Sequence, residues 1–295
     1  MTRGEKYNLK MGLLFVSPWI IGFLVFTVYT VGASFFYSFC DYDVLSKPVF
    51  IGLTNYTDMA SDSVFWKALY NTLIFAFFAI PLGLVSSICV AILLNMPVSG
   101  RPVFRTIFFL PSLVPLVATS MIWLWIFNGK FGLLNYFLNM AGLPGPEWLT
   151  NEHYTKPALV LTVVWGIGNS VVIYLAALQE VPVQLYESAD IDGAGFLRKI
   201  LHITLPSISP VIYFNLVMGI IGCLQVFAQP YIMFGAGTGG PNRSALFYAV
   251  YLYENAFTYN QMGYACAMAW ILFMIILGLT YMATMLSRKH IHYGE

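Results

Sequence analysis

Six long stretches of this chain contain no Asp, Glu, Lys or Arg, and polar and charged residues gather in the islands between them. The stretches cover residues 11–39, 68–94, 106–127, 157–179, 205–228 and 263–287. About 20 apolar residues in a helix cross roughly 30 Å of hydrocarbon, so each stretch is long enough for one crossing. The pattern predicts an all-α integral membrane fold of six transmembrane helices. Pro18, Pro81, Pro111, Pro115 and Pro210 fall within these stretches, where each removes a backbone donor and can kink a helix. A single proline is equally compatible with ordinary bundle packing. Pro111 and Pro115 together predict local unwinding of the third helix.

Composition supports the membrane reading. Hydrophobic residues make up 59% of the 295 and charged residues 9%, far below the roughly 25% of a soluble domain, which needs charge to cover its surface. The net charge of +1 gives no sign of a nucleic-acid partner. The cysteines (Cys40, Cys89, Cys223, Cys266) lack metal-like spacing, and three lie within apolar runs as small hydrophobes. The first stretch follows Arg3, Lys6 and Lys10 as a signal peptide's apolar region would. It is longer than such a region and no small-residue cleavage site stands out, so it is expected to be retained.

Basic residues set the expected orientation. With the N-terminus inside, Arg3, Lys6, Lys10, Arg101, Arg105, Arg198, Lys199, Arg288 and Lys289 are cytoplasmic, whereas Lys47, Lys67, Lys130, Lys156 and Arg243 are external. Residues 1–10 then form a cytoplasmic N-terminus, 11–287 the membrane domain and 288–295 a cytoplasmic tail. The external segments around LPGPEW and FGAGTGGPNR are rich in turn residues and read as irregular loops.

The island at 182–206, between the fourth and fifth stretches, has a defined internal spacing. Pro182 stands where a first helical turn begins and Gly193 where that helix ends in a left-handed cap, which predicts a short helix over about 183–192. Gly193-Ala194-Gly195 lets the chain reverse. Phe196, Ile200 and Ile203 then recur at helical intervals before Leu205 and Pro206 open the next span. Glu187, Asp190 and Asp192 lie beside the small Ser188 and Ala189, so the first helix permits close approach and offers carboxylates to a basic partner. A solvated interhelical loop is the plainer alternative.

The order Glu187, two small residues, Gly193, nine residues, then Ile203-Thr204-Leu205-Pro206 resembles the cytoplasmic loop of permease subunits of ABC importers, with Ser188 where alanine is usual. LLFVSPWIIGF, VFIGLTNYTDM, FWKALYNTLIF, GRPVFRTIFFLPSLVP and GYACAMAWILF extend the resemblance to the carbohydrate-importing branch of maltose and glycerol-phosphate type, over most of the chain. The resemblance implies a bacterial or archaeal plasma (inner) membrane protein with both termini cytoplasmic. It implies pairing with a second, homologous permease subunit, an ABC ATPase dimer docked through Glu187, Ser188, Ala189, Asp192, Gly193, Ala194, Leu205 and Pro206, and delivery of a sugar by an extracytoplasmic solute-binding protein. ATP is expected on the partner, since no GxxxxGK[ST] loop occurs here. No cofactor, metal site or catalytic group is expected.

The amides and aromatics near the middle of the fourth and fifth stretches are candidates for the solute path: Trp165, Asn169, Gln225, Phe227, Gln229 and Tyr231, with Tyr174 and Asn215 nearby. Amides match sugar hydroxyls and aromatic faces cover a sugar ring, and Trp165 and Asn169, four apart, are expected to share a helix face. The same residues also suit bundle packing and interhelical hydrogen bonding. The segment around Gln229 departs from the family's usual pattern, with Ala228 where an aspartate is common and a longer Gly-rich stretch before Pro241. A secondary transporter or channel would predict an intramembrane carboxylate or an internal repeat. An intramembrane enzyme would need a nucleophile beside a base, and His153, His202, His290 and His292 lie outside the apolar stretches.

Overall fold

The computed structural model describes residues 2–97, 99–235 and 238–288. Its helices are α1 (Arg3–Phe23), α2 (Tyr29–Tyr37), α3 (Thr54–Ser61), α4 (Ser63–Asn95), α5 (Arg101–Phe109), α6 (Leu116–Ile126), α7 (Leu133–Met140), α8 (Thr155–Trp165), α9 (Gly168–Glu180), α10 (Val183–Ile191), α11 (Phe196–Lys199), α12 (Leu205–Ser207), α13 (Ser209–Leu224), α14 (Ala228–Met233), α15 (Tyr248–Tyr253) and α16 (Met262–Ser287). Two strands, β1 (Cys40–Asp41) and β2 (Val49–Phe50), pair antiparallel with Cys40 opposite Phe50. Four helical segments are long and apolar enough to cross a membrane: Gly4–Tyr37, Ser63–Asn95, Ser209–Met233 and Met262–Ser287. Two bent pairs supply the rest, Arg101–Leu113 with Leu116–Ile126 and Thr155–Trp165 with Gly168–Glu180, so the six passages follow the order of the hydropathy pattern. The tail at 289–295 lies outside the described residues.

Several boundaries differ from the sequence pattern for local reasons. The first helix begins at Arg3 because Thr2 caps it, its hydroxyl accepting from the Glu5 N–H while the Glu5 carboxylate accepts from the Thr2 N–H. Pro18 and Pro81 remain inside unbroken α-helices, and Pro210 sits in the first turn of α13, where its missing donor costs nothing. The third passage does unwind, and by more than a kink. A 3-10 turn at Leu110–Leu113 leads to extended backbone at Val114, the conformation preferred before a proline, and the chain turns by 99° into α6. Stretches of π-helix interrupt three other segments, at Leu24–Val28, Ile200–Thr204 and Glu254–Thr258. Glu254, left in a loop by the hydropathy pattern, is buried.

Contacts divide the chain into two units, Met1–Asp62 with Leu252–Ile271 and Ser63–Tyr251 with Leu272–Glu295. In the first, the β-hairpin is fixed by the buried Asn55, whose Nδ2 donates to the carbonyls of Ser38 and Cys40, both at 2.9 Å. The start of α16 packs on the same segment. The Gly263 N–H donates to Tyr42 O, and a Cβ at Gly263 would lie 2.0 Å from Cys40 O, so only glycine fits. None of the residues in the apolar window of the first passage is buried by the rest of the chain.

Among its described residues the second unit has two hydrophobic cores. One gathers Phe75, Phe127, Leu159, Phe234, Leu246 and Phe247, and the other gathers Leu94, Val171, Tyr174, Leu178, Val181 and Ile208. FGAGTGGPNR is irregular, as its turn residues predict, and the first core takes in the segment that follows it. Ala245, Leu246, Phe247 and Tyr248 are fully buried or nearly so. Side chains of α4 accommodate this irregular backbone in the interior. The Asn71 Nδ2 donates to the carbonyls of Arg243 and Leu246, both at 2.9 Å, and the Thr72 hydroxyl accepts from the Tyr248 N–H at 2.8 Å. Gly239, Gly240, Asn242 and Arg243 take positive φ to make the turn, whereas Ala236 and Gly237 lie outside the described residues.

Candidate functional site

The island between the fourth and fifth passages forms two short helical pieces joined by a tight reversal. Pro182 caps α10, which ends at Ile191, and Gly193 takes φ 71°. The Gly193 N–H donates to Asp190 O at 3.1 Å and the Ala194 N–H to Ala189 O at 2.8 Å. This pair of bonds is the Schellman motif, which satisfies the last carbonyls of the helix and needs a left-handed residue at Gly193. Lys199 on α11 pairs with Asp190 on α10 and locks the two arms together. The Tyr186 hydroxyl meets Thr204 Oγ1 at 3.0 Å, and Tyr186, Ile203 and Leu205 pack against the core around Val181 and Ile208.

The arm is therefore fixed at its base and open at its tip. Glu187, Ser188, Asp192 and Gly193 are exposed, Ala189 and Ala194 are half-buried, and a Cβ at Gly193 would meet nothing within 4 Å. Leu205 and Pro206 stand at the base, in α12. They do not run straight into the fifth passage, because the chain leaves helical geometry at Ile208 before α13 starts at Ser209. Sequence reasoning missed the apolar part of the tip. Ile191 is 88% exposed and Leu197 71%, beside an exposed Phe196. Ionic pattern and small residues had drawn attention away from them.

The solute-path candidates sit at breaks in the helices. Trp165 ends α8 and Asn169 lies in the first turn of α9, with Gly166 and Ile167 between them and a bend of 46°. The expected common face is therefore lost, since the i, i+4 relation holds only within a continuous helix. Gly168 stands just after this break. A Cβ on it would stand 2.8 Å from Phe108 O and 3.0 Å from Ser112 Oγ, so α9 approaches the end of α5 as only glycine allows. Asn169 is exposed. Tyr174 and Asn215 are buried; the Asn215 Nδ2 donates back to Val211 O at 3.0 Å, and Asn215 lines a cavity of about 240 Å³ with Ser170, Met218 and Cys223.

In the fifth passage Gln225 closes α13 with its N–H on Ile221 O, and the chain is irregular through Val226 and Phe227 before α14 begins at Ala228. Gln225 is exposed and Gln229 half-buried. Phe227 stacks on Tyr231 with centroids 5.1 Å apart, and both pack on the aromatic core. That core reaches Trp165 through Trp123, which lies 6.1 Å from Trp165, edge to face, and 4.9 Å from Phe127. Trp123 had no signal in the sequence beyond its place in an apolar run. Helix interruptions expose backbone and side-chain amides at membrane depth, which is tolerated where they are buried in protein or line a water-filled cavity.

A curated relative from Bacillus subtilis (strain 168), the probable ABC transporter permease protein YesP, is 39% identical over 98% of this chain and 94% of its own length. The sulfoquinovosyl glycerol transport system permease protein SmoG of Agrobacterium fabrum is 33% identical, covering 92% of this chain and 88% of the relative. Among solved structures, a chain of a bacterial ABC transporter involved in import of the acidic polysaccharide alginate superposes with a TM-score of 0.84 at 26% identity, covering 98% of this chain and 99% of that one. A chain of the alginate transporter in complex with alginate pentasaccharide-bound periplasmic protein gives 0.81 at 25%, covering 97% and 96%. The family model for the binding-protein-dependent transport system inner membrane component matches residues 79–291. By sequence and by fold, the chain belongs to that family of membrane-spanning transport subunits.

Proposed function

We propose that this chain is the permease subunit of an ATP-driven importer of a sugar or related polyhydroxylated solute. In this reading it pairs with a second, homologous permease, takes its solute from an extracytoplasmic binding protein, and couples to a separate ATPase dimer through the arm at 182–206. The observation that carries the reading is the arm, a rigid, Schellman-capped helical projection with an exposed carboxylate, small residues and bare apolar side chains at its tip. Such a surface suits a partner that closes on it with basic and apolar groups. The relatives named for transport of sugars support the solute class.

The arm faces the cytoplasm in this proposal, with both termini inside, an orientation that the distribution of basic residues favours. Closure of the ATPase would move the arms of the two permeases together and switch the helices between inward-facing and outward-facing states, a rigid-body transition. Gln225, Gln229 and Asn169 would supply donors and acceptors to solute hydroxyls, and Trp165, Phe227 and Tyr231 the aromatic wall. The test is co-expression of this chain with its candidate partners, followed by purification and reconstitution in proteoliposomes. ATP-dependent accumulation of a labelled oligosaccharide, lost when Glu187→Lys releases the ATPase, is the expected result. Accumulation that persists without ATP or without the ATPase would favour a secondary transporter and end the proposal.

A further inference from the structure

Arg105 is a cation with a buried, unmatched donor among the described residues. It lies on α5, its Nε is buried, and that atom has no hydrogen-bond partner among the described residues. A buried, unmatched guanidinium donor is costly, and such groups are normally completed by an acceptor. Arg101, one turn earlier, is already engaged. Its Nε donates to Met96 O at 2.5 Å and its terminal nitrogen to Asn95 O at 3.1 Å, closing the end of α4. Arg105 instead lines a cavity of about 270 Å³ between α4, α5 and α9, together with Gln179. The rest of the wall is apolar, including Leu94, Phe109, Val171 and Leu175, and holds no carboxylate. Glu180, next to Gln179, is exposed and does not line it.

We propose that this cavity is a binding site for an anionic phospholipid. Arg105 and Gln179 receive the headgroup phosphate, and the apolar wall receives the first part of an acyl chain. Three features point to a lipid and not to a soluble solute. The cavity is smaller than the roughly 300 Å³ at the lower end of self-contained small-molecule sites, so its occupant enters by one end. Its polar side chains, Gln179 near the end of α9 and Arg105 one turn before Phe109, stand away from the apolar contact of Gly168 with Phe109, as suits a lipid with its headgroup at one end. Finally, Arg105 lies in the early part of α5, immediately before the charge-free stretch that starts at 106, which is where a passage is expected to leave the headgroup region. Guanidinium forks match phosphate oxygens, and basic pockets between helices on the cytoplasmic side suit anionic headgroups. The leaflet assignment rests on the orientation proposed above, but the site itself does not.

The test is native mass spectrometry of the full complex, purified in detergent with equal amounts of phosphatidylglycerol and phosphatidylethanolamine. No ATP or solute is needed, so the outcome is independent of the transport proposal. The unaltered protein is expected to retain phosphatidylglycerol in preference. Arg105→Gln should lower that retention about fivefold, the worth of one basic side chain near an anionic membrane surface. Val172→Trp, which fills the apolar wall and leaves the cation in place, should lower it as well. Unchanged retention in Arg105→Gln would overturn the proposal. So would retention that Val172→Trp spares and inorganic phosphate abolishes, which would mark a free-phosphate site. Loss of a partner subunit from Arg105→Gln with unaltered lipid would also overturn it, assigning the guanidinium to a protein carboxylate.

Discussion

Replacing Gly193 tests the coupling arm most directly, because the structure separates backbone strain from steric clash at this position. The residue has φ 71°, and a Cβ there would touch nothing within 4 Å. Any L-residue pays only for the left-handed backbone, about 1–2 kcal/mol for alanine. Asparagine tolerates that region better, whereas a β-branched valine is a genuine outlier there. A loss of 1–2 kcal/mol is roughly a 5- to 30-fold shift toward an arm with a frayed cap. The series Gly193→Asn, Gly193→Ala and Gly193→Val should therefore lower solute imported per ATP hydrolysed in that order, with membrane insertion and thermal stability of the spans unchanged. Proteoliposomes containing the whole complex, assayed for uptake and hydrolysis in parallel, give the ratio. Unaltered uptake, stimulated hydrolysis and ATPase stoichiometry in Gly193→Val would refute the reasoning. Should Asn fail as badly as Val, the glycine serves close approach by the partner and not the cap.

Orientation is checked with single cysteines in a background lacking the native ones: Asp190→Cys should react in intact cells only with membrane-permeant reagents, and Asn151→Cys also with impermeant ones. Labelling of position 190 from outside would place the arm beyond reach of a cytoplasmic ATPase. Gln225→Ala and Gln229→Ala should each weaken the concentration dependence of uptake by a few-fold, since one buried hydrogen bond contributes about 1 kcal/mol, while basal hydrolysis persists. Unaltered concentration dependence in both would leave the amides as packing groups. Asn71→Ala removes the donor shared by the carbonyls of Arg243 and Leu246, and at about 1–3 kcal/mol for a stranded buried acceptor it should lower the thermal midpoint of the detergent-purified protein. An unchanged midpoint would show that water replaces the amide.

Passage number and arm geometry were legible because their signals are local. Charge-free runs report the bilayer, and Pro182 and Gly193 mark the two ends of α10 by backbone chemistry that does not depend on neighbours. What escaped the sequence depends on distant partners. Trp165 and Asn169 lost their common face because the helix breaks between them, where Gly168 packs closely on the Phe108 carbonyl of another passage. The stretch before Tyr248 has the composition of a surface turn, yet it enters a core because Asn71 and Thr72, more than 170 residues earlier, bond its backbone. Arg105 read simply as one of the cytoplasmic cations. Only the packing of α4, α5 and α9 shows that it turns inward.

The π-helical stretch at Ile200–Thr204 has a consequence for how the arm is aimed. A π-turn holds one residue more than the α-turn it replaces, and one residue corresponds to about 100° of rotation around a helix axis. Everything on the arm side of this stretch, α10 and α11 included, is therefore set at an azimuth that an unbroken α-helix would not give. The bearing of the tip is encoded as a count of residues and not as a particular side chain. Deleting a single residue here would leave every contact type in the sequence intact while swinging Glu187 and Ile191 toward a different quarter of the compass.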